Sequence, residues 1–530
     1  MTLAIDPVTL EVIRSALTAA AEEMSLVVMR SARSPLLREA GDLSSALTDA
    51  KGEMIAQGRD IPMHLGVMCF TVKEFLKWQP AHTLAPGDVW FLNLPEIGGN
   101  HLPDVKAIRP VFVAGELFAF AVSLAHWADI GGAVPGSYVA NATDIWQEGL
   151  RISPTRLFTA AGPDHEKLRL VLSNLRGAPE REGDIHAQMA ATLVAERRLH
   201  EFVAEHGLDV VKAAMDELQN RSEQQMREAI RAMPRGVFEG EDFLDDDGIR
   251  DQPIAVRVRL TLGNGEATFD FTASDDAVDG PVNTTPFIAA AGAFYALKCL
   301  AGEEIAPNGG ALRPLKVTTR PGSLLQPPPT RPVVGGNHET SQRVVDAIFR
   351  ALEPVMAEKL SAGGPTTSGL LLFSMRRADG AWATLYETHG GGEGARADRD
   401  GAPVVRVHMS NVMNTPAEVI EAEYPIEIVR QTLRRGSGGA GAHRGGDGLV
   451  REYRMLSGDV SLTTMFERRV VPPYGLKGGA PGAPFQVELV TADGKRKEVK
   501  GKVNLRLSEG DRIILESCGG GGYGPPKPTQ

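Results

Sequence analysis

The chain has 530 residues and a mass of 56.7 kDa, more than one ordinary hydrophobic core organises, so about two to four lobes are expected. Hydrophobic residues at 42% and charged residues at 23% describe a globular protein, and 58 glycines with 35 prolines, without a collagen-like period, imply much loop. A net charge of −11, a pI near 5.7 and no run of Lys and Arg interleaved with aromatics argue against a nucleic-acid or anionic-membrane partner.

The first predicted element is a helix: Asp6 is its N-cap, Pro7 its first residue, and Leu10, Ile13, Leu17 and Met24 line one face. REAGDLSSAL follows, with Glu39 and Asp42 in a polar turn before a strand; two acids beside a glycine are also ordinary loop chemistry. His64, in IPMHLG, reads as a core histidine.

Pro95 to Gly132 carries the densest chemistry. His101 and Asp104 stand in HLPD after Gly98 and Gly99, where Pro103 stops a regular helix and a tight loop aims both side chains one way. VFVAGELFAFAVSLAH reads as a β-hairpin turning at Ala114 to Glu116, whose second strand returns His126 to that loop. Two imidazoles and one carboxylate suit a divalent ion such as Zn, Mn or Fe and leave coordination positions open, the pattern of a catalytic site. Each residue taken singly also has a structural reading: a buried strand histidine, a loop cap, an Asx-turn. Asp129, Gly131 and Gly132 crowd the same stretch, and Glu148 lies in a loop before a further strand.

A helical hairpin is expected next, broken at Gly207 and restarted at Asp209. IAVRVRLTL and EATFDF make a β-hairpin turning at Asn264 and Gly265. FIAAAGAFYAL ends at Lys298, short of the roughly 18 apolar residues that cross a bilayer, and reads as a buried helix. Gly335 and Gly336 lead through Asn337, His338 and Glu339 into a helix whose N-terminus either is an ordinary cap or attracts an anion. Beyond Gln431 the chain is glycine-rich, with strands at FQVELV and RIILES and a turn at Asp493 and Gly494. Gly436 to Gly441 satisfies G-x-G-x-x-G, but a strand rather than a helix follows, so it is no dinucleotide loop; no P-loop and no G-x-S-x-G elbow occurs. Cys69, Cys299 and Cys518 form no C-x-x-C pair, which disfavours a disulfide framework and fits a reducing cytoplasm. The expected fold is α+β, a multi-lobed mixed α/β protein with a metal-bearing N-terminal part (1–240, including the helical hairpin), a mixed middle (241–430) and a Gly-rich, β-rich C-terminal part (431–530).

Read together, REAGDLSSAL, IPMHLG, PGDVWFLN, GGNHLPD, AHWADIGG, QEGLRI, NGGALRP, GGNHETSQRVVDA, GSGGAGAHRGGDG and CGGGGYG resemble the hydantoinase B/oxoprolinase family, which also contains large subunits of acetone-type and acetophenone-type carboxylases. The resemblance implies a divalent metal held by His101, Asp104, His126 and, as fourth ligand, Asp42, with Glu39 beside it as general base. It implies a subunit of an ATP-dependent amidohydrolase: a hydantoinase A-type partner would bind ATP and Mg and phosphorylate a cyclic amide (hydantoin, oxoproline or lactam). The metal-bearing half would then hydrolyse the activated amide, in a cytoplasmic hetero-oligomer. The alternative within the same resemblance is a subunit of an ATP-dependent ketone carboxylase. From the ligand types alone, a non-haem Fe(II) oxygenase also has two histidines and a carboxylate, and a scaffold would hold no metal. The chain departs from the family where Asn93, Leu94, Pro95 and Glu96 replace N-D-P-Y and where Asn100 replaces a threonine. These positions bear on the substrate more than on the metal.

Overall fold

Four sheets and the helices packed on them make up the computed structural model, which describes residues 5–377 and 380–526. Among the described residues no sheet is closed into a barrel, and the mixed α/β character expected from the sequence holds.

The first sheet contains β1 (Leu43–Asp49), β2 (Met54–Gln57), β3 (Val89–Leu92), β4 (Asp104–Val113), β5 (Glu116–His126), β6 (Thr155–Thr159) and β7 (Gly162–Pro163), in the order β2-β1-β5-β4-β3-β6-β7. Helices α1 (Pro7–Ser31), α2 (Pro35–Arg38), α3 (Pro62–Trp78), α4 (His165–Leu172), α5 (Ala178–His206) and α6 (Leu208–Arg231) surround it. Alternate residues of the central strands serve different cores. Ala119, Ala121 and Ala125 of β5 join α1 and α5, while Phe120, Val122 and Leu124 join α3. Burial on both faces explains why the strand reads as a continuous apolar run. The turn between β4 and β5 has Ala114 at φ 50° and Gly115 at φ 84°, the two positive values that a tight two-residue hairpin requires. Asp6 caps α1 by accepting from the Val8 and Thr9 amides at 3.0 and 3.1 Å, and Gly207 breaks the helical hairpin at φ 86°.

The second sheet has β8 (Gly236–Leu244), β9 (Ile254–Gly263), β10 (Glu266–Asp270) and β11 (Leu315–Thr318) in the order β11-β10-β9-β8. Apolar residues of α7 (Pro286–Ala301), α8 (Gly309–Leu312) and α9 (Thr340–Met356) share its core. The remaining elements are β12 (Leu370–Arg376), β13 (Trp382–Glu387), α10 (Ala417–Glu423), β14 (Ile426–Arg434), β15 (Gly448–Met455), β16 (Val460–Met465), β17 (Gln486–Val490), β18 (Arg496–Glu498), β19 (Lys502–Leu507) and β20 (Arg512–Glu516). They make two sheets, β13-β12-β16-β19 and β14-β15-β20-β17-β18, packed on one shared core. Residue 430 falls inside β14, and the other sheet has β12 and β13 before it and β16 and β19 after it.

The glycine-rich segments are not free loop. Backbone near 392, 439–446, 480 and 518–522 runs side by side and is hydrogen-bonded: Gly392 N–H donates to Cys518 O at 2.9 Å, Gly439 to Gly520 at 2.8 Å, Gly520 to Gly446 at 3.0 Å and Gly522 to Ala480 at 2.9 Å. A Cβ on Gly520 would stand 1.9 Å from Glu393 O, and one on Gly446 2.0 Å from Ala402 O. Close backbone approach therefore accounts for the glycine. This packing ties the C-terminal segments to residues 362–395. A buried ion network ties them also to α9 and β8: Arg343 of α9 and Arg468 each pair with both Asp242 of β8 and Asp346 of α9, at 2.6–3.1 Å.

Candidate metal centre

Sheet register assembles the centre. Asp104 opens β4 and pairs directly with His126, which ends β5. β1 pairs with β5 on the other side, Leu43 opposite Ala125, and the His126 amide donates to Asp42 O at 3.0 Å. Three adjacent strand ends thus bring Asp42, His126 and Asp104 together, and the loop before β4 adds His101.

One ligand atom from each of His101, Asp104 and His126 lies within 4.8 Å of the others. Asp104 Oδ1 is 2.9 Å from His126 Nδ1 and 3.0 Å from His101 Nε2. Asp42 stands at the rim of the set, Oδ2 at 3.9 Å from His126 Nδ1. His64, which the sequence presents as a core residue, belongs here instead: Pro62 starts α3, and the first turn of that helix puts His64 Nε2 at 3.2 Å from Asp104 Oδ2 and 3.8 Å from Asp42 Oδ1.

The electrostatics favour a cation. His101 Nδ1 lies 3.1 Å from Val334 O, an acceptor, so Nδ1 carries the proton and the Nε2 lone pair faces the Asp104 carboxylate. Burial pushes the His101 imidazole down to about 4, so Nε2 is unprotonated near neutral pH and two electron-rich atoms face each other at 3.0 Å. Burial opposes ionisation of Asp104 too, but in the acid range, where His101 and His64 carry protons, their charges outweigh it and hold the carboxyl well below its usual range. Burial raises Asp42, with His126 and His64 only partly offsetting it. For His64, burial pulls downward and the Asp104 and Asp42 carboxylates prevail, raising it. His126 Nε2 is buried without a partner among the described residues. A divalent ion among these atoms would satisfy what neighbouring protons do not, so the donor set fits one.

Other elements close the site. Asn100, one of the departures, donates to Asp104 Oδ2 and accepts from buried Lys106 Nζ at 3.0 Å; burial pushes Lys106 down to about 8. Asn93 anchors the loop, donating to Leu102 O at 2.8 Å and Leu150 O at 2.9 Å. Asn337 Nδ2 reaches His101 Nε2 at 3.1 Å. His338 stacks on Tyr138 with ring centroids 5.5 Å apart, and its Nδ1 is 3.0 Å from Glu339 Oε1. The Tyr138 and Tyr386 hydroxyls are 3.2 Å apart, and the Tyr386 ring lies 4.7 Å from His126. Asn337, His338 and Glu339 are legible in the sequence as a polar helix start; Tyr138 and Tyr386 carry no sequence signal.

Glu39 is not brought into the cluster. It ends the four-residue α2, a third of its side chain is exposed, and it faces Arg38 Nε at 3.7 Å. Asp129 organises a loop, accepting from the Gly131 and Gly136 amides at 2.8 and 2.7 Å and pairing with Arg176 at 3.1 Å. Glu148 accepts from the Val333 and Val334 amides at 3.1 and 2.9 Å, which fixes the carbonyl that orients His101.

The hydantoinase B/oxoprolinase profile matches residues 6–526. The chain belongs to that family. It is 35% identical over 524 residues to the protein MJ0963 of Methanocaldococcus jannaschii, covering 98% of this chain and 91% of that one. It is 32% identical over 533 residues to the caprolactamase β subunit of Pseudomonas jessenii, with 98% and 91% covered. Against 5-oxoprolinase 1 of Arabidopsis thaliana the identity is 33% over 548 residues, 98% of this chain but 42% of the relative. Among solved structures, the ATP-dependent caprolactamase of P. jessenii superposes with a TM-score of 0.93 at 30% identity, over 99% of this chain and 92% of that one. Nucleotide-free acetone carboxylase gives 0.90 at 19% identity, over 98% and 76%, a likeness of fold.

Proposed function

We propose that this chain is the metal-bearing, hydrolytic subunit of an ATP-dependent amidohydrolase that opens a cyclic amide (a hydantoin, oxoproline or lactam) once a separate hydantoinase A-type subunit has used ATP and Mg to phosphorylate it. The buried set of His101, Asp104 and His126, with unprotonated nitrogen facing carboxylate, carries this reading, on a chain whose sequence has no nucleotide loop. The caprolactamase and 5-oxoprolinase relatives support it.

His101, Asp104 and His126 would hold the ion, with Asp42 as a fourth ligand. A bound divalent ion supplies Lewis acidity and activates water near neutral pH. Val334 O fixes the His101 tautomer, and Asn100 and His64 position the Asp104 carboxylate. Tyr138 and Tyr386, raised well above the usual phenol range chiefly by burial, stay neutral and can donate to a polar group of the substrate. The buried walls would limit the access of bulk water to a bound substrate. Among the described residues no helix is long and apolar enough to cross a membrane, and we place the hetero-oligomer in the cytoplasm.

The test is cyclic-amide opening by this chain mixed with its ATP-binding partner, with ATP and with bicarbonate present or omitted. Ring-opened product without bicarbonate supports the hydrolase; a carboxylated product that requires bicarbonate overturns it in favour of the ketone carboxylase.

A further inference from the structure

A cavity of about 330 Å³ is lined in part by Pro62, the first residue of the helix that carries His64, and by Arg406, and is large enough for a small ring or short-chain ligand. Tyr295, Phe349 and Leu300 give it an apolar side, and Lys359, Arg396 and Arg406 a cationic one. Glu393, the carboxylate on its lining, is taken up by Arg396 at 3.3 Å.

Arg406 joins this cavity to the centre. It lines the cavity and also interacts electrostatically with Tyr386, Glu387, Asp42 and Glu339. Its Nη1 donates to Ser368 O at 3.2 Å and its Nη2 to Thr388 Oγ1, while its Nε and that of Arg396 are buried with no partner among the described residues. The backbone is held in place at a cost. Val404 and His408 have φ of 51° and 54°, and a β-branched residue in the left-handed region persists only where its surroundings impose it. Val404 N–H donates to Asp447 O at 3.1 Å, Val405 N–H to Gly391 O at 2.8 Å, and the His408 ring packs on Phe349 at 5.2 Å. Such strain is concentrated at ligand clamps.

We propose that this cavity is a binding site for a small organic oxyanion, with Arg406 and Arg396 taking the anionic group and Tyr295, Phe349 and Leu300 the apolar remainder. Carboxylate and phosphoryl groups present the same acceptor oxygens to a guanidinium fork. The identification of that oxyanion as the carboxylate or the phosphoryl group of the substrate rests on the function proposed above; the binding itself does not.

The test is calorimetric titration of the full chain with inorganic phosphate, with 5-oxoproline and with its uncharged analogue 2-pyrrolidone, alongside maleimide labelling of Cys299, which lines the cavity. Either anion should bind, 2-pyrrolidone at least tenfold more weakly, and the bound anion should slow labelling. Phosphate alone would identify a phosphoryl site and 5-oxoproline alone a carboxylate site, and both outcomes support the proposal. Arg406→Gln should weaken binding at least tenfold and Arg406→Lys less, with Arg396→Gln as a second reading should Arg406→Gln not fold by circular dichroism. Unchanged binding in both glutamine variants, or no binding of either anion to the wild type, overturns the site. Because no ATP or partner is involved, failure of amide hydrolysis would leave this result readable by itself.

Discussion

Asp104 is the residue on which the centre turns, because its two oxygens face His101, His126 and His64 at 2.9–3.2 Å. Asp104→Ala removes the charge that would offset a cation and His126→Ala removes a nitrogen donor, so both variants should lose bound metal, measured by elemental analysis of the purified protein, together with turnover. Stoichiometric metal in either would place the ion elsewhere. Glu39→Gln should keep the metal and stay within a few-fold of wild-type turnover, since its carboxylate pairs with Arg38; a loss of roughly 10²- to 10⁴-fold, the range of a general base, would restore that role to it. Glu148 offers a test by pH. Burial raises its carboxyl to about 8, the Val334 and Val333 amides offsetting only part, so between about 4.5 and 8 the folded state binds this proton more tightly than the unfolded one. Stability should therefore fall as pH rises through that window. Glu148→Gln, which does not titrate, should show a shallower fall in denaturant titrations at pH 5 and pH 8; parallel profiles would refute the assignment.

At the scale of elements, the β4–β5 hairpin is legible in the sequence itself. Its apolar runs and Ala114–Gly115 turn place His126 opposite Asp104, because side chains alternate and register fixes which residues meet. His64 is not legible in that way. On α3 it sits among buried apolar residues, with the sequence character of a core histidine, and only the approach of that helix to the sheet makes it a partner of Asp104. The glycine-rich segments read as loop for a similar reason: composition reports the missing side chain, not the backbone packed in its place. Gly520→Ala, whose Cβ would meet Glu393 O at 1.9 Å, should abolish or severely lower stability. Gly436→Ala meets nothing within 4 Å among the described residues and suffers only from its φ of 85°, a cost of about 1–2 kcal/mol. Thermal melts of the two separate the effects, and equal melting points would remove close packing as the reason for the glycines.

Across the whole molecule, the site is a junction. Tyr138 O, in the N-terminal part, accepts from Thr463 Oγ1 and Asn504 Nδ2 at 3.1 Å each, and Arg468 reaches Asp242 and Asp346. Breaking a buried ion pair by removing one partner costs about 3–5 kcal/mol, and deletion of residues 431–530 removes Arg468, β15, β16 and the glycine packing together. That truncation should be insoluble or metal-free; a soluble, metal-loaded remainder would show the parts to be independent. The intact chain, lacking a P-loop, should show neither tight ATP binding in calorimetry nor ATP turnover until its partner is added.

The sequence by itself determined what local chemistry determines: the capped first helix, the helical hairpin broken at Gly207, the two tight β-hairpins, the lack of a nucleotide-loop motif, and the donor types offered by His101, Asp104 and His126. These follow from periodicity, caps and turn residues, whose effects reach only a few positions along the chain. Tertiary structure alone decided that His64, Tyr138, Asn337, His338 and Tyr386 converge on the same cluster from segments up to several hundred residues apart, that the Glu39 carboxylate faces Arg38, and that Arg406 both lines the cavity and interacts with Tyr386 and Asp42. Those outcomes depend on how sheets and helices pack against each other, and packing leaves no period in the sequence from which it could be read.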